Sequence, residues 1–352
     1  MDALLSRDKQ IKIVAALVVL LFLTVGGFWL NLKLFAEAPM AVADTGMVYM
    51  VKPGQGFIRV ANELEKLGVI DDAGDYIWYA RLTGQAHHIK VGEYEIQAHT
   101  SPAQFLDDLV TGRVKQYSLT IVEGWNFNQL MQAIRGHEYL QQTLVESTTK
   151  QIMEKLGLAG EHPEGRFFPD TYSFPLGTTD IAFLQRAYEA MEKVLAEQWQ
   201  QREVDLPYKT PYEALIMASI VEKETGVVEE REQIAGVFVR RLQSRMRLQT
   251  DPTVIYGMGD LYKGNIRRAD LKRDTPYNTY TRRGLPPTPI AMPGRAAIYA
   301  ALHPDDGDTL YFVAKGDGSH YFSVTVKEHN QAVNKYQRFR RRKDYRSVPT
   351  GD

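Results

Sequence analysis

The sequence contains no cysteine. Structural disulfides, thiolate-bound zinc, iron–sulfur clusters and cysteine nucleophiles are thereby excluded, although the compartment is left open. Neither sign of charge is in excess: 42 Lys and Arg stand against 43 Asp and Glu, a formal net charge of -1. No nucleic-acid partner held by bulk electrostatics is expected. The 8 histidines include no H-x-x-x-H pair, and G-x-x-x-x-G-K-[ST] and G-x-S-x-G strings are missing. With them go the signatures of a zinc hydrolase, a simple NTPase and a serine hydrolase, and neither metal nor cofactor is expected. Repeats and low-complexity tracts are also absent.

What is present is a chain of 352 residues, 44% hydrophobic and 24% charged. This is an ordinary globular composition, with length for about two domains at roughly 150 residues each. One uncharged apolar run, Ile13 to Leu30, covers 18 residues, close to the roughly 20 that a bilayer-spanning helix needs. Arg7, Lys9 and Lys12 precede it, and only Lys33 follows closely before Glu37 and Asp44. The positive-inside rule then leaves residues 1–12 as a cytoplasmic tail, with 13–30 spanning and the rest outside. A cleaved signal peptide is the rival reading, since Ala41-Val42-Ala43 has the form of a cleavage site. Against it, the run exceeds an h-region of about 7–15 residues, and the site lies far beyond its end.

Residues 34–47 have the small, polar and proline content of a linker. Val48 to Val51 reads as a strand, Phe57, Val60, Ala61 and Leu64 as a helix face, Asp75 to Thr83 as a second helix, and Gly92 to Ile96 as a returning strand. Ser101-Pro102-Ala103-Gln104 is a capping box with proline at the first helical position, and Gly112 ends the helix that it opens. This module, residues 48–114, resembles LysM, a small fold that often binds N-acetylated glycans. Gly54-Gln55-Gly56-Phe57 replaces the usual G-D-T-L, so a purely spacing role stays open beside glycan binding. A larger domain is expected over residues 116–345, before a tail at 346–352. The fold class expected is therefore α+β: one transmembrane helix, a LysM-like α/β module and a mixed α/β domain. Lys335 to Arg346 is strongly basic, read as a solvated helix end or as a contact for anionic lipid or cell-wall groups.

The densest chemistry lies in Leu215-Ile-Met-Ala-Ser-Ile-Val-Glu-Lys-Glu-Thr225. On a helix, Glu222 and Glu224 diverge by about 200° and cannot share one cleft. Glu224 falls on the stripe of Met217, Ile220 and Val221, while Glu222 falls beside Ala218 and Ser219. A carboxyl among apolar side chains disfavours its charged form, which raises its pKa toward that of a general acid at neutral pH. An ion pair with Arg231, Arg240 or Arg245 is the structural alternative. Gln249, Thr250 and Asp251 before Pro252, the alternation Tyr277-Asn278-Thr279-Tyr280 and the stiff loop Gly284-Leu-Pro-Pro-Thr-Pro289 read as site walls. Aromatic faces beside neutral hydrogen-bonding groups suit sugar rings, although Asn and Thr near prolines also simply make turns.

Glu222-Lys-Glu-Thr225, Leu248-Gln-Thr-Asp-Pro-Thr-Val-Ile-Tyr-Gly257, Tyr277-Asn-Thr-Tyr280, Gly284-Leu-Pro-Pro287 and Glu164-Gly-Arg-Phe-Phe-Pro-Asp-Thr-Tyr172 together resemble, in order, the motifs of the MltG (YceG-like) family. The similarity runs from about residue 48 to 335. Members are membrane-anchored endolytic murein lytic transglycosylases, which implies a carbon–oxygen lyase acting on peptidoglycan glycan strands at the inner membrane, with the large domain in the periplasm. The resemblance implies Glu224 as the catalytic acid, the residue the helical spacing also selects. Gln249, Tyr277, Asn278 and Thr279 are assigned to substrate binding, holding acetamido groups and ring hydroxyls, and Asp251 to stabilising charge at C1 or to capping the next helix; with the anchor, the resemblance implies a peptidoglycan synthase as partner. Phe167 and Phe168 are read as cleft wall or core, and Arg240, Arg241 and Arg245 as steering groups or a solvated face. Asn330 is a rim candidate. A water-admitting muramidase and a non-catalytic wall-binding scaffold remain as alternatives.

Overall fold

The structure, a computed structural model, describes residues 7–339. Residues 1–6, the part of the basic stretch from 340 to 346, and the tail at 346–352 lie outside the described residues. The chain forms two compact units: one runs to Tyr117 and takes in Phe174–Leu176, and the other comprises Ser118–Ser173 and continues from Gly177.

The first unit begins with helix α1 (Arg7–Glu37), which is long and apolar enough to cross a membrane. Its apolar side chains are exposed over most of the expected span, with Phe28 near its end meeting Trp78 of the module, whereas Leu32 and Ala36 are fully buried. The expectation of a linker from residue 34 is corrected here: the helix persists through Glu37, and Met40 is buried as well. Leu32, Phe35 and Ala36 share one helical face, and burying that face carries the helix past the end of the apolar run. Strands β1 (Met47–Val51) and β2 (Gly92–Ile96) pair antiparallel, with Tyr49 opposite Tyr94. Helices α2 (Phe57–Lys66) and α3 (Ala73–Leu82) lie between them in sequence, giving the strand–helix–helix–strand order. Helix α4 (Pro102–Thr111) starts at Ser101 with both halves of the capping box formed, and stops at Gly112, whose φ of 78° is left-handed. Tyr76, Tyr94, Phe105, Leu64 and Leu109 fill the core of this unit.

The second unit is mostly helical. Strand β3 (Gln116–Thr120) pairs with β4 (Thr171–Pro175) across α5 (Phe127–Arg135) and α6 (Thr149–Lys155) in sequence, and the Thr120 and Thr171 hydroxyls meet at 2.8 Å. Next come α7 (Asp180–Gln200), α8 (Pro211–Glu224), α9 (Arg231–Gln243), α10 (Asp251–Met258), α11 (Arg268–Lys272) and α12 (Arg295–Leu302). The hairpin β5 (Tyr311–Ala314) and β6 (His320–Ser323) and helix α13 (Val326–Val333) follow. Helix α8 is the axis of the core: every residue from Ala214 to Val221 is buried, packed by Met191 and Leu195 of α7, Ile234 and Phe238 of α9, and Ile298 and Ala301 of α12. A helix apolar on all sides is a buried helix rather than an amphipathic one.

Candidate active site

The site is built where α8 leaves the core. Thr210 caps its start, accepting the Glu213 N–H at 3.3 Å, and Pro211 occupies the first turn. Its last turn carries three charged residues to three different surroundings. Glu222 accepts the Gly294 N–H at 3.0 Å and stands 3.6 Å from the Arg231 guanidinium. Burial pushes its pKa up, while that N–H and Arg231 hold it down. The Lys223 ammonium donates to the Gly124 carbonyl at 3.1 Å. Glu224 accepts a hydrogen bond from the Thr250 hydroxyl and lines a cavity of about 720 Å³. Burial pushes its pKa up to about 7, against the Thr250 hydrogen bond; Asp251 adds to the rise, and Arg241 opposes it. A carboxyl so tuned holds a proton at neutral pH and can release and regain it.

The wall of this cavity comes from several elements. Gln249 stands just before α10 with φ of 53°, a left-handed conformation that is strained for glutamine and is tolerated where the surroundings fix it. Its N–H donates to the Thr279 carbonyl at 3.2 Å. Asp251 opens α10, and its carboxylate accepts the Tyr280 hydroxyl at 2.6 Å. Arg241 is buried, donating to the Leu310 carbonyl at 2.7 Å and to that of Leu248 at 2.5 Å. Tyr311 of β5 and His329 of α13 stack with ring centroids 5.3 Å apart, and both face the same cavity.

A second cavity, of about 650 Å³, adjoins it and shares Lys223, Pro252, Ile255 and Tyr262 with the first. Asn126, Asn128, Gln129, Glu164 and Tyr277 complete much of its lining. Glu164 is only 3% exposed and accepts both the Phe127 N–H and the Tyr256 hydroxyl at 3.0 Å. Burial pushes its pKa up to about 7 as well, opposed by those two donors. The Tyr277 ring packs on that of Tyr256, centroids 4.8 Å apart, and its hydroxyl meets that of Thr288 at 2.9 Å.

The structure thus brings Glu224, Gln249 and Asp251 to one cavity and Tyr277 to its neighbour. Asn278 and Thr279 stand behind the wall, 1% and 3% exposed. The Asn278 amide donates to the Asp270, Leu271 and Arg273 carbonyls, and its oxygen accepts the Tyr280 N–H at 2.9 Å. The Thr279 hydroxyl lies 2.9 Å from that of Thr253 and accepts the Thr250 N–H at 3.1 Å. Phe167 is fully buried and stacks on Phe127, so it belongs to the core rather than to a cleft wall. Of the three arginines read as steering groups, Arg241 lines the cavity, while Arg240 is tied to the Thr309 and Asp305 carbonyls. Tyr280 closes the Tyr-Asn-Thr-Tyr alternation already read as a site wall, and His329 stands next to the rim candidate Asn330; both line the first cavity. Sequence reasoning passed over Tyr311, which had no local signal because pairing of distant elements brings it there.

Residues 49–335 match the YceG-like family. A Bacillus subtilis protein named endolytic murein transglycosylase is 31% identical over 334 residues, covering 89% of this chain and 91% of that protein. A Streptococcus pneumoniae protein of the same name is 27% identical over 360 residues, and there the match covers 91% of this chain but only 64% of the longer relative. Among solved structures, a yceG-like protein from Listeria monocytogenes superposes with a TM-score of 0.53 at 29% identity, covering 82% of this chain and 99% of that one.

Proposed function

Because the chain belongs to the YceG-like family, we propose that it is a membrane-anchored endolytic murein transglycosylase with Glu224 as its acid and base. The observation that carries this reading is the Glu224 carboxyl itself. Burial raises its pKa to about 7, so a large share carries a proton at neutral pH; a single neutral donor holds it, and it opens to a cavity lined by amide, carboxylate and aromatic groups. Among the relatives, two bearing that activity in their names match along most of this chain.

The substrate is the bond between N-acetylmuramic acid and N-acetylglucosamine. Protonated Glu224 gives its proton to the glycosidic oxygen as the C1–O bond breaks, and N-acetylglucosamine leaves with a free hydroxyl. Positive charge develops at C1, where the Asp251 carboxylate stabilises it. The Glu224 carboxylate then takes the proton of the muramic acid C6 hydroxyl, the O6–C1 bond forms, and a 1,6-anhydro ring closes. Glu224 ends protonated as it began, so one carboxyl serves both steps, unlike the paired carboxylates of most hydrolytic glycosidases. Gln249 holds an acetamido group in the first cavity, and Tyr277 offers its ring to a neighbouring sugar in the second. Asn278 and Thr279 act from behind: through Tyr280 and Thr250 they fix the groups that meet Asp251 and Glu224.

Helix α1 anchors the chain in the inner membrane with its N-terminus in the cytoplasm and the second unit in the periplasm, an orientation supported by Arg7, Lys9 and Lys12. Cleavage is then confined to glycan near the membrane, which suits termination or trimming of nascent strands beside a peptidoglycan synthase. The LysM-like module carries a spacing role in this reading.

Mass spectrometry of muropeptides released from purified glycan strands by the full chain in detergent tests the proposal. Fragments ending in 1,6-anhydro-muramic acid, absent with Glu224→Gln, are expected. Reducing ends instead would make it a muramidase that admits water. Binding without release would leave a scaffold.

A further inference from the structure

Helix α3 packs against α1 with a definite sense. The Asn31 amide donates to the Asp75 carboxylate at 3.1 Å, and three residues further along α3 the Trp78 ring meets Phe28 edge-on at 6.2 Å. Contacts therefore move back along α1 as α3 advances, and the C-terminal end of α3 points toward the apolar run. Phe28 lies inside that run, two residues before its end at Leu30, a distance of about 3 Å along the axis. Leu82 stands one helical turn beyond Trp78, roughly 6 Å further in the same direction.

This end of α3 is apolar where the core does not need it. Tyr76 and Ala80 are fully buried in the unit, whereas Trp78 and Leu82, on another face, are 50% and 53% exposed. Arg81 lies over the Trp78 ring at 5.9 Å. A tryptophan and a leucine beside an arginine whose stem can reach outward is the composition of a membrane-interface element. We propose that the C-terminal turn of α3 is embedded in the lipid bilayer beside α1, with Trp78 and Leu82 among the upper acyl chains and Arg81 reaching the phosphates. The span then continues directly into a second lipid-facing surface, and the module is seated on the membrane rather than hanging from it. This inference rests on the reading of α1 as a membrane span.

The absence of cysteine makes the test direct. Single variants Leu82→Cys, Val18→Cys and Lys66→Cys of the full chain, each spin-labelled and reconstituted in phosphatidylethanolamine–phosphatidylglycerol vesicles, are compared for collision with oxygen and with a water-soluble nickel chelate. Val18 reports the span, and Lys66 lies at the opposite end of the α2–α3 pair; both side chains are exposed, as is Leu82. The expected result is that labels 18 and 82 collide more with oxygen than with nickel, and label 66 the reverse. Nickel access at 82 with lipid access at 18 would overturn the embedding while leaving the span intact. Shielding of 82 from both probes, the mark of a second protein surface on this face, would overturn it too. Nickel access at 18 would remove the span, and the embedding with it.

Discussion

Glu164 and Glu224 are both sunk in the second unit, both border a cavity, and in both burial pushes the pKa up to about 7. Their partners differ. Glu164 is gripped by a backbone N–H at the start of α5 and by the Tyr256 hydroxyl, two donors from elements far apart in sequence. Glu224 has one hydroxyl, Thr250, with Asp251 close enough to raise its pKa further. The first arrangement makes a strut, because moving its proton disturbs two hydrogen bonds that tie α5 to α10. The second leaves acceptor capacity for a substrate. A raised pKa alone therefore does not identify the acid; the number of protein groups already holding the carboxyl separates the two.

Removing each carboxyl in turn tests the contrast most strongly. Glu224→Gln is expected to lower turnover by upward of about 10³-fold, leaving no measurable product, with the melting temperature kept or raised, as read by product mass spectrometry and calorimetry. A folded Glu224→Gln protein with near-native turnover would move the acid elsewhere.

The next largest effect is on stability against pH. Both carboxyls have folded pKa values above their unfolded ones, so between about pH 4.5 and pH 7 the folded chain holds protons that the unfolded chain releases. Stability contributed by these groups is thus complete below the unfolded value and is lost as pH rises through the folded one. Denaturant titrations should show a decline of a few kcal/mol across that window, smaller in each Gln variant and smallest in the double variant. A curve that the substitutions leave unchanged would mean that neither carboxyl is desolvated as described.

Glu164→Gln sharpens the distinction further. An amide keeps one acceptor oxygen for the two donors, so a loss of about 1–2 kcal/mol is expected at pH 5, where native Glu164 is protonated, with turnover within about tenfold of native. Abolished turnover in a stably folded Glu164→Gln chain would erase the difference between strut and acid. Smallest is Thr250→Val, which removes the one hydrogen bond holding the Glu224 pKa down. The alkaline fall of turnover should shift upward by about one pH unit, the equivalent of about 1.4 kcal/mol. No shift would mean that the hydroxyl does not govern this proton.

Much of the first unit was legible because its signals are local. The capping box at Ser101, the left-handed Gly112, the two helices and the returning strand all depend on residues within a few positions of one another. The end of α1 was not, since charge and polarity around residue 33 hid a helical face whose burial depends on the module. In the second unit, the helical wheel treated α8 as having one apolar stripe, while the structure buries Ala218 and Ser219 as fully as Met217. The two glutamates are distinguished instead by what receives them, Arg231 and Gly294 for one and an open cavity for the other. Asn278 and Thr279 show the limit most clearly. Their polarity suits a sugar, yet their partners 29 residues back and 5–8 residues back are protein groups, and a short polar motif carries no mark of which side of a wall it will face.

In the proposed mechanism Glu224, and not Glu164, moves the proton. The most direct measurement is the rate of 1,6-anhydro end formation against pH for the native chain, Glu164→Gln and Glu224→Gln. A fall above about pH 7 is expected in the first two, at the same position, and no measurable product in the third. A limb that disappears or moves with Glu164→Gln, or product that persists with Glu224→Gln, would contradict that mechanism.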